Sequence, residues 1–134
     1  LSKLTVSNMV SGTYVFTLTV TDNGGLTNSD DVRVIVQPAT VNNNPTVNAG
    51  SDIFIRLPVS STSITANATD IDGSISSYLW TKQSGPTATL TGESTSTLSL
   101  SNLLEGTYVF RILVADNIGA TASDEVTVVV APPG

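Results

Sequence analysis

The sequence predicts an all-β sandwich, and three observations carry that expectation. Val, Ile and Thr are abundant, and such β-branched residues suit a pleated, half-buried surface. Apolar residues alternate with period 2 in short runs bounded by turn residues, and no 3.6-residue apolar stripe competes with them. The third observation is internal repetition. Sliding the sequence by 94 positions lays residues 1–38 over residues 95–132 without a gap, and 20 of those 38 positions are identical. Matched pairs include Gly12/Gly106, Tyr14/Tyr108, Phe16/Phe110, Asp22/Asp116, Gly25/Gly119, Asp30/Asp124 and Pro38/Pro132. Residues 1–38 are therefore read as the C-terminal part of a preceding repeat, residues 39–44 as a linker, and residues 45–134 as a complete domain. The linker reading rests on "QPATVNNNPT", whose Pro and Asn residues are poor strand formers.

Within the complete domain the elements follow in order. "TVNAGSDIFIRL" is a first strand, interrupted by a bulge or kink at Ala49-Gly50. "STSITANAT" is a second, with Ile64, Ala66 and Ala68 inward. "DIDG" at 70–73 turns the chain into a third strand, "SISSYLWTK", where Tyr78 and Trp80 share a face. After the "SGP" turn, "TATLTG" is a short edge strand, and "STLSLSN" places Leu98 and Leu100 together. "TYVFRILVAD" aligns Tyr108, Phe110, Ile112 and Val114, and "DEVTVVVA" aligns Val126, Val128 and Val130. About seven strands in about 90 residues is the pattern of an immunoglobulin-like sandwich. Trp80 belongs in its core, and Tyr108 sits where a tyrosine corner ties a strand back to the chain, with Tyr14 as its counterpart. The repeat before it supplies about three strands: "KLTVSN", "TYVFTLTVTD" and "SDDVRVIVQ". These leave an apolar face and open edges, so a second chain, in preference to the complete domain, is expected to cover them.

Composition excludes several functions. There is no His and no Cys, which removes the usual general base, thiol nucleophiles, disulfides and thiolate metal sites. A Ser-His-Asp triad is impossible. Net charge is −6, and the five basic residues are scattered, so nucleic acid is not an expected partner. No apolar run approaches the roughly 18 residues of a membrane span, so no membrane insertion is expected. "NGG" at 23–25 is a hairpin turn rather than a phosphate loop, and "NAT" at Asn67 is a glycosylation sequon relevant only in a eukaryotic host.

The complete repeat resembles the PKD (polycystic kidney disease) domain. The resemblance spans residues 43 to 132 and rests on "NNPTVNAGSD", "DIDGSISSYLWTKQSGP" and "LEGTYVFRILVADNIGATASDEVTVVV" in that order. It implies an immunoglobulin-like sandwich in an extracellular, non-catalytic setting, secreted or at the cell surface, and of bacterial origin. Where the family more often carries serines before its Asp-x-Asp-Gly turn, this sequence reads "ANATDIDG": the acids are kept and the serines are not.

In that topology the B–C loop, the F–G loop and the start of the first strand share one pole. Asn43/Asn44, Asp70/Asp72 and Asp116/Asn117 therefore converge. Hard oxygen ligands from several loops are what Ca²⁺ takes, and some family members bind Ca²⁺ with an Asn and acids at such positions. The resemblance thus implies a Ca²⁺ site at Asn44, Asp70, Asp72 and Asp116, with Asn43 as a weaker ligand. The competing reading is that Asp70 and Asp72 only shape a turn before Gly73, and Asp116 only caps its own loop. Asp22 lacks B–C loop partners and is expected to bind no metal, giving one site per chain.

Two functions are weighed. One is a spacer or adhesion module whose partners are neighbouring repeats of the same protein. The other is an accessory module of a secreted hydrolase that binds polysaccharide or a surface protein, for which Phe54 and Tyr78 are the candidate exposed aromatics. A catalytic function is not expected.

Overall fold

The computed structural model describes residues 2–134 and divides the chain into two compact units, Leu1–Val41 and Asn42–Gly134. The first unit is one hairpin, β1 (Gly12–Thr21) and β2 (Thr27–Val36), paired from Gly12↔Val36 to Thr21↔Thr27. The expected third strand over residues 3–8 does not form. By the 94-residue shift those residues correspond to residues 97–102, whose strand is held between two others in the second unit. Residues 1–41 contain no counterpart of either holder, so the segment has no ladder to join.

The second unit has nine short strands in two layers: β3 (Thr46–Asn48), β4 (Ile53–Arg56), β5 (Thr62–Thr65), β6 (Asn67–Thr69), β7 (Ile75–Ser84), β8 (Thr89–Thr91), β9 (Thr97–Ser101), β10 (Gly106–Asp116) and β11 (Thr121–Ala131). One layer runs β4-β11-β10-β7, and the other holds β5-β9-β8 and β3-β6. Two of the seven expected strands are each broken in two, which accounts for nine. At Ala66 the second strand leaves its ladder, and the Ala66 amide donates instead to the Ser96 carbonyl at 2.8 Å.

The break at Ala49-Gly50 is a change of sheet rather than a bulge. Before it, β3 pairs antiparallel with β6; after it, β4 pairs parallel with β11. Gly50 supplies the positive φ of 89° that the crossing needs. The crossing backbone keeps its hydrogen bonds through carboxylates: the Ala49 amide donates to Asp124 at 2.8 Å, and Asp52 accepts from the Thr127 amide at 3.0 Å.

Alternation decides which side chains meet between the layers. Tyr108, Phe110, Ile112 and Val114 of β10 and Val126, Val128 and Val130 of β11 are buried against Ile64, Leu98, Leu100 and Trp80. Trp80 is satisfied as well as buried, its indole N–H donating to the Thr95 carbonyl at 3.0 Å. The Tyr108 hydroxyl accepts from the Leu104 amide at 2.9 Å and donates to the Thr87 carbonyl at 3.0 Å, joining β10 to two loops. Tyr14 makes the same four-residue reach, with its hydroxyl 3.0 Å from the Val10 amide and 2.9 Å from the Val10 carbonyl.

Removing the buried Tyr108 hydroxyl strands an amide and a carbonyl at once. Tyr108→Phe is expected to cost the second unit about 1–3 kcal/mol, read as a lower midpoint in urea with an unchanged slope. Tyr14→Phe is expected to leave that midpoint unmoved, because its hydroxyl serves only the hairpin.

Candidate functional site

One pole of the second unit gathers three pieces of chain: the incoming segment Asn42–Pro45, the loop at residues 70–74 between β6 and β7, and the loop after Asp116 between β10 and β11. Asp116 is built into its own loop. One carboxylate oxygen accepts the amides of Ile118, Gly119 and Ala120 at 2.8, 2.7 and 2.9 Å. The other accepts the Asn42 side-chain amide at 2.7 Å, from 74 residues away. The side chain is buried, 2% exposed, and among the described residues Asp116 is the one charged residue buried as a whole. Its counterpart Asp22 closes its loop the same way, accepting from Gly24 at 2.8 Å and Leu26 at 3.0 Å, but stands exposed.

Asp72 performs the second tether. A single oxygen accepts both the Asn43 backbone amide, at 2.8 Å, and the Asn43 side-chain amide, at 3.1 Å. The two loops are joined to each other by Asn117, whose backbone amide donates to the Ser74 carbonyl at 3.0 Å while its side-chain oxygen accepts the Ser74 amide at 3.1 Å. Gly73 must be small here: a methyl group would collide with the Asn117 side-chain oxygen and come within 2.7 Å of an Asp70 oxygen.

Asp70 is the exception. Both its carboxylate oxygens are buried, and neither meets a donor in good hydrogen-bond geometry; the Asp72 backbone amide nearby only partly offsets this by favouring the charged form. Its carboxyl lies within hydrogen-bonding reach of the Asp72 carboxyl, with Asp116 adding negative charge. Burial pushes Asp70 above the ordinary aspartate range, and the approach to Asp72 pushes it the same way. The Asn43 amide holds Asp72 below that range, and the Asn42 side-chain amide does so for Asp116, helped by the Ile118, Ala120 and Gly119 amides.

The chemistry follows from that pair. Two carboxyl groups facing each other without a well-placed donor need a shared proton or a cation between them. Asp70 and Asp72 are the two acids of the pole whose oxygens are not fully engaged by amides, so they are the ones that could hold a hard cation. The pole is not a preassembled cage: among the described residues no three acidic side chains form a ready metal centre. Asp116 has every near oxygen engaged by amides. Asn44 is exposed beside the buried Pro45. Asn42, passed over in the sequence reading, is the residue that reaches Asp116. Its only signal was its place at the head of the Asn triplet.

Comparison with known proteins agrees with this architecture. The family model described as "K319L-like, PKD domain" matches residues 1–36 and 49–130. A mouse protein, "Dyslexia-associated protein KIAA0319-like protein", is 37% identical over 137 residues, covering 98% of this chain and 13% of its own length. Mouse "Low-density lipoprotein receptor-related protein 11" is 31% identical over 109 residues, covering 80% of this chain and 23% of its own length. The chain thus spans less than a quarter of the length of each of these relatives. The solution structure of the PKD domain from KIAA 1837 protein superposes with a TM-score of 0.62 at 32% identity, covering 72% of this chain and 95% of that one. With the family model matched over most of its length and the sandwich in place, this chain belongs to the K319L-like PKD domain family, as a non-catalytic immunoglobulin-like module.

Proposed function

We propose that this chain is an extracellular spacer and adhesion module, stiffened where the chain enters its sandwich and able to take Ca²⁺ there. The observation that carries the reading is the double tether of Asn42 and Asn43 to Asp116 and Asp72, with the unpartnered Asp70 carboxylate beside them. A segment tethered at two successive residues has little freedom left, so it transmits position from whatever precedes it. Ca²⁺ would be held by Asp70 and Asp72, with Asn43 and Asn44 as the further oxygen donors at that pole, while Asp116, its oxygens taken by amides, adds negative charge beside them. Bound there, it would neutralise the facing carboxylates and lock the loop at 70–74 against the incoming segment. Membership in a family with receptor-related relatives supports the extracellular setting.

The alternative is an accessory module that binds polysaccharide or a protein substrate. Phe54 favours it, standing 65% exposed on the outer face of β4. Tyr78, the other candidate, packs against the core instead, so Phe54 has no aromatic row to extend. The tethered pole therefore carries the stronger reading.

Calorimetric titration with calcium is expected to give one site per chain and a higher melting temperature than in chelator. Asp70→Asn and Asp72→Asn are each expected to abolish the heat. Two tight sites, or none at millimolar calcium, would remove calcium from the reading.

In chelator the three acids are expected to rank by what they hold. Asp116→Ala lowers the melting temperature most, because it frees three loop amides and Asn42. Asp72→Ala lowers it less. Asp70→Asn raises it by a few degrees at neutral pH, because it removes a buried charge with no well-placed donor. The sign follows from the raised carboxyl. Below the ordinary value of 3.8 Asp70 is protonated in both folded and unfolded chains and costs nothing. As pH rises through its higher folded value the unfolded chain gives up the proton more readily, and the native state loses stability. The advantage of Asp70→Asn is thus expected to be absent below pH 3.8 and to grow towards neutrality, as melting curves across that range would record.

A further inference from the structure

The two outer faces of the second unit differ in kind. On the layer built from β5-β9-β8 and β3-β6, every outward position is Ser, Thr or Asn. That is how a sheet with one buried side meets water. On the layer β4-β11-β10-β7, five outward positions carry large apolar side chains: Phe54, Leu79, Val109, Leu113 and Val129. Phe54 and Leu79 are exposed, and the other three are half-buried.

The register sets these residues side by side. Phe54 neighbours Val129, and Leu79 neighbours Leu113. Between the two apolar pairs lie Val109 and one charged pair, Arg111 and its ladder partner Glu125. Arg111 donates to the Ser123 hydroxyl at 3.2 Å rather than to Glu125, and Arg56 at the rim turns to the Pro132 carbonyl at 2.9 Å. The centre of the face thus holds one charge of each sign among apolar neighbours. An acidic or a basic partner would meet one of the two with its own sign. A second copy meets both with the opposite sign: a two-fold axis along the ladder lays β10 of each copy on β11 of the other, with Arg111 over the partner's Glu125.

We propose that the outer face of β4-β11-β10-β7 is a self-association surface, on which a second copy of this chain packs sheet against sheet around two Arg111–Glu125 pairs. The apolar side chains supply the burial, and the charges fix partner and register. Strands about 4.8 Å apart and some ten residues long give this face roughly 500 Å². A standard interface takes about 800 Å² from each partner. The dimer is therefore a weak one, formed at high concentration, and it leaves the calcium pole free.

Sedimentation equilibrium of the full chain tests this. A monomer–dimer equilibrium is expected. Arg111→Glu and Glu125→Arg stand at exposed positions, and each sets like charges across the interface. Each is expected to weaken the dimer about tenfold or more. Mixing the two variants in equal amounts is expected to restore it, because each then meets opposite charges in the other. The like-charged ladder pair inside each chain survives mixing, so a role confined to one chain predicts no recovery. Leu18→Asp, on the exposed face of β1–β2, is expected to leave the dimer intact. A chain that stays monomeric at its solubility limit would overturn the proposal. So would a dimer that survives both charge reversals, one that mixing fails to restore, or one that Leu18→Asp dissolves.

Discussion

The antiparallel ladder between β10 and β11 is the constraint on which the rest of the second unit depends. It runs from Gly106↔Val130 to Ala115↔Thr121, and both strands find their other neighbours along it: β7 on one side, β4 on the other. Its inward side chains form half of the buried apolar core, and its turn is closed by the buried Asp116. A slip of β10 by one residue in this register would turn Tyr108, Phe110 and Ile112 to solvent and Arg111 inward. The first unit shows the same ladder by itself. Its register, tyrosine corner and aspartate-closed turn are all present, so these are local properties of the sequence. Burial is not local, and there it is missing.

At the pole, structural and functional demands are placed on the same acids. Asp116 and Asp72 hold the incoming segment through Asn42 and Asn43, and amide donors keep both carboxylates ionised. Asp70 receives no well-placed donor, and the structure leaves its charge buried. A natural protein keeps a buried, unpaired acid where some other interaction supports it. In this fold the available support is the facing Asp72, which attracts Asp70 only through a proton or a cation.

Much of this was legible in the sequence. Period-2 alternation located each strand, and the gapless self-match located the paired hairpins. Tyr108 and Trp80 were placed by strand order alone. Two features were not legible. The Ala49-Gly50 interruption reads as a kink from local residues, because the partner that makes it a sheet change, β11, lies some 75 residues on. The strand over residues 3–8 has good alternation but no ladder, and pairing partners are a tertiary property that propensity does not carry. At the pole the acids were found as a group, since loops at one end of a sandwich converge. Which asparagine meets which acid depends on how the chain passes Pro45, and three consecutive Asn residues offer nothing to choose between them.

A crystal structure grown in calcium tests the pole most directly. The expected result is an ion bonded at about 2.3–2.6 Å to oxygens of both Asp70 and Asp72, with the Asn42 and Asn43 tethers intact. A pole in which Asp70 meets only a proton shared with Asp72 and no ion, or an ion seated away from this pair, would contradict it.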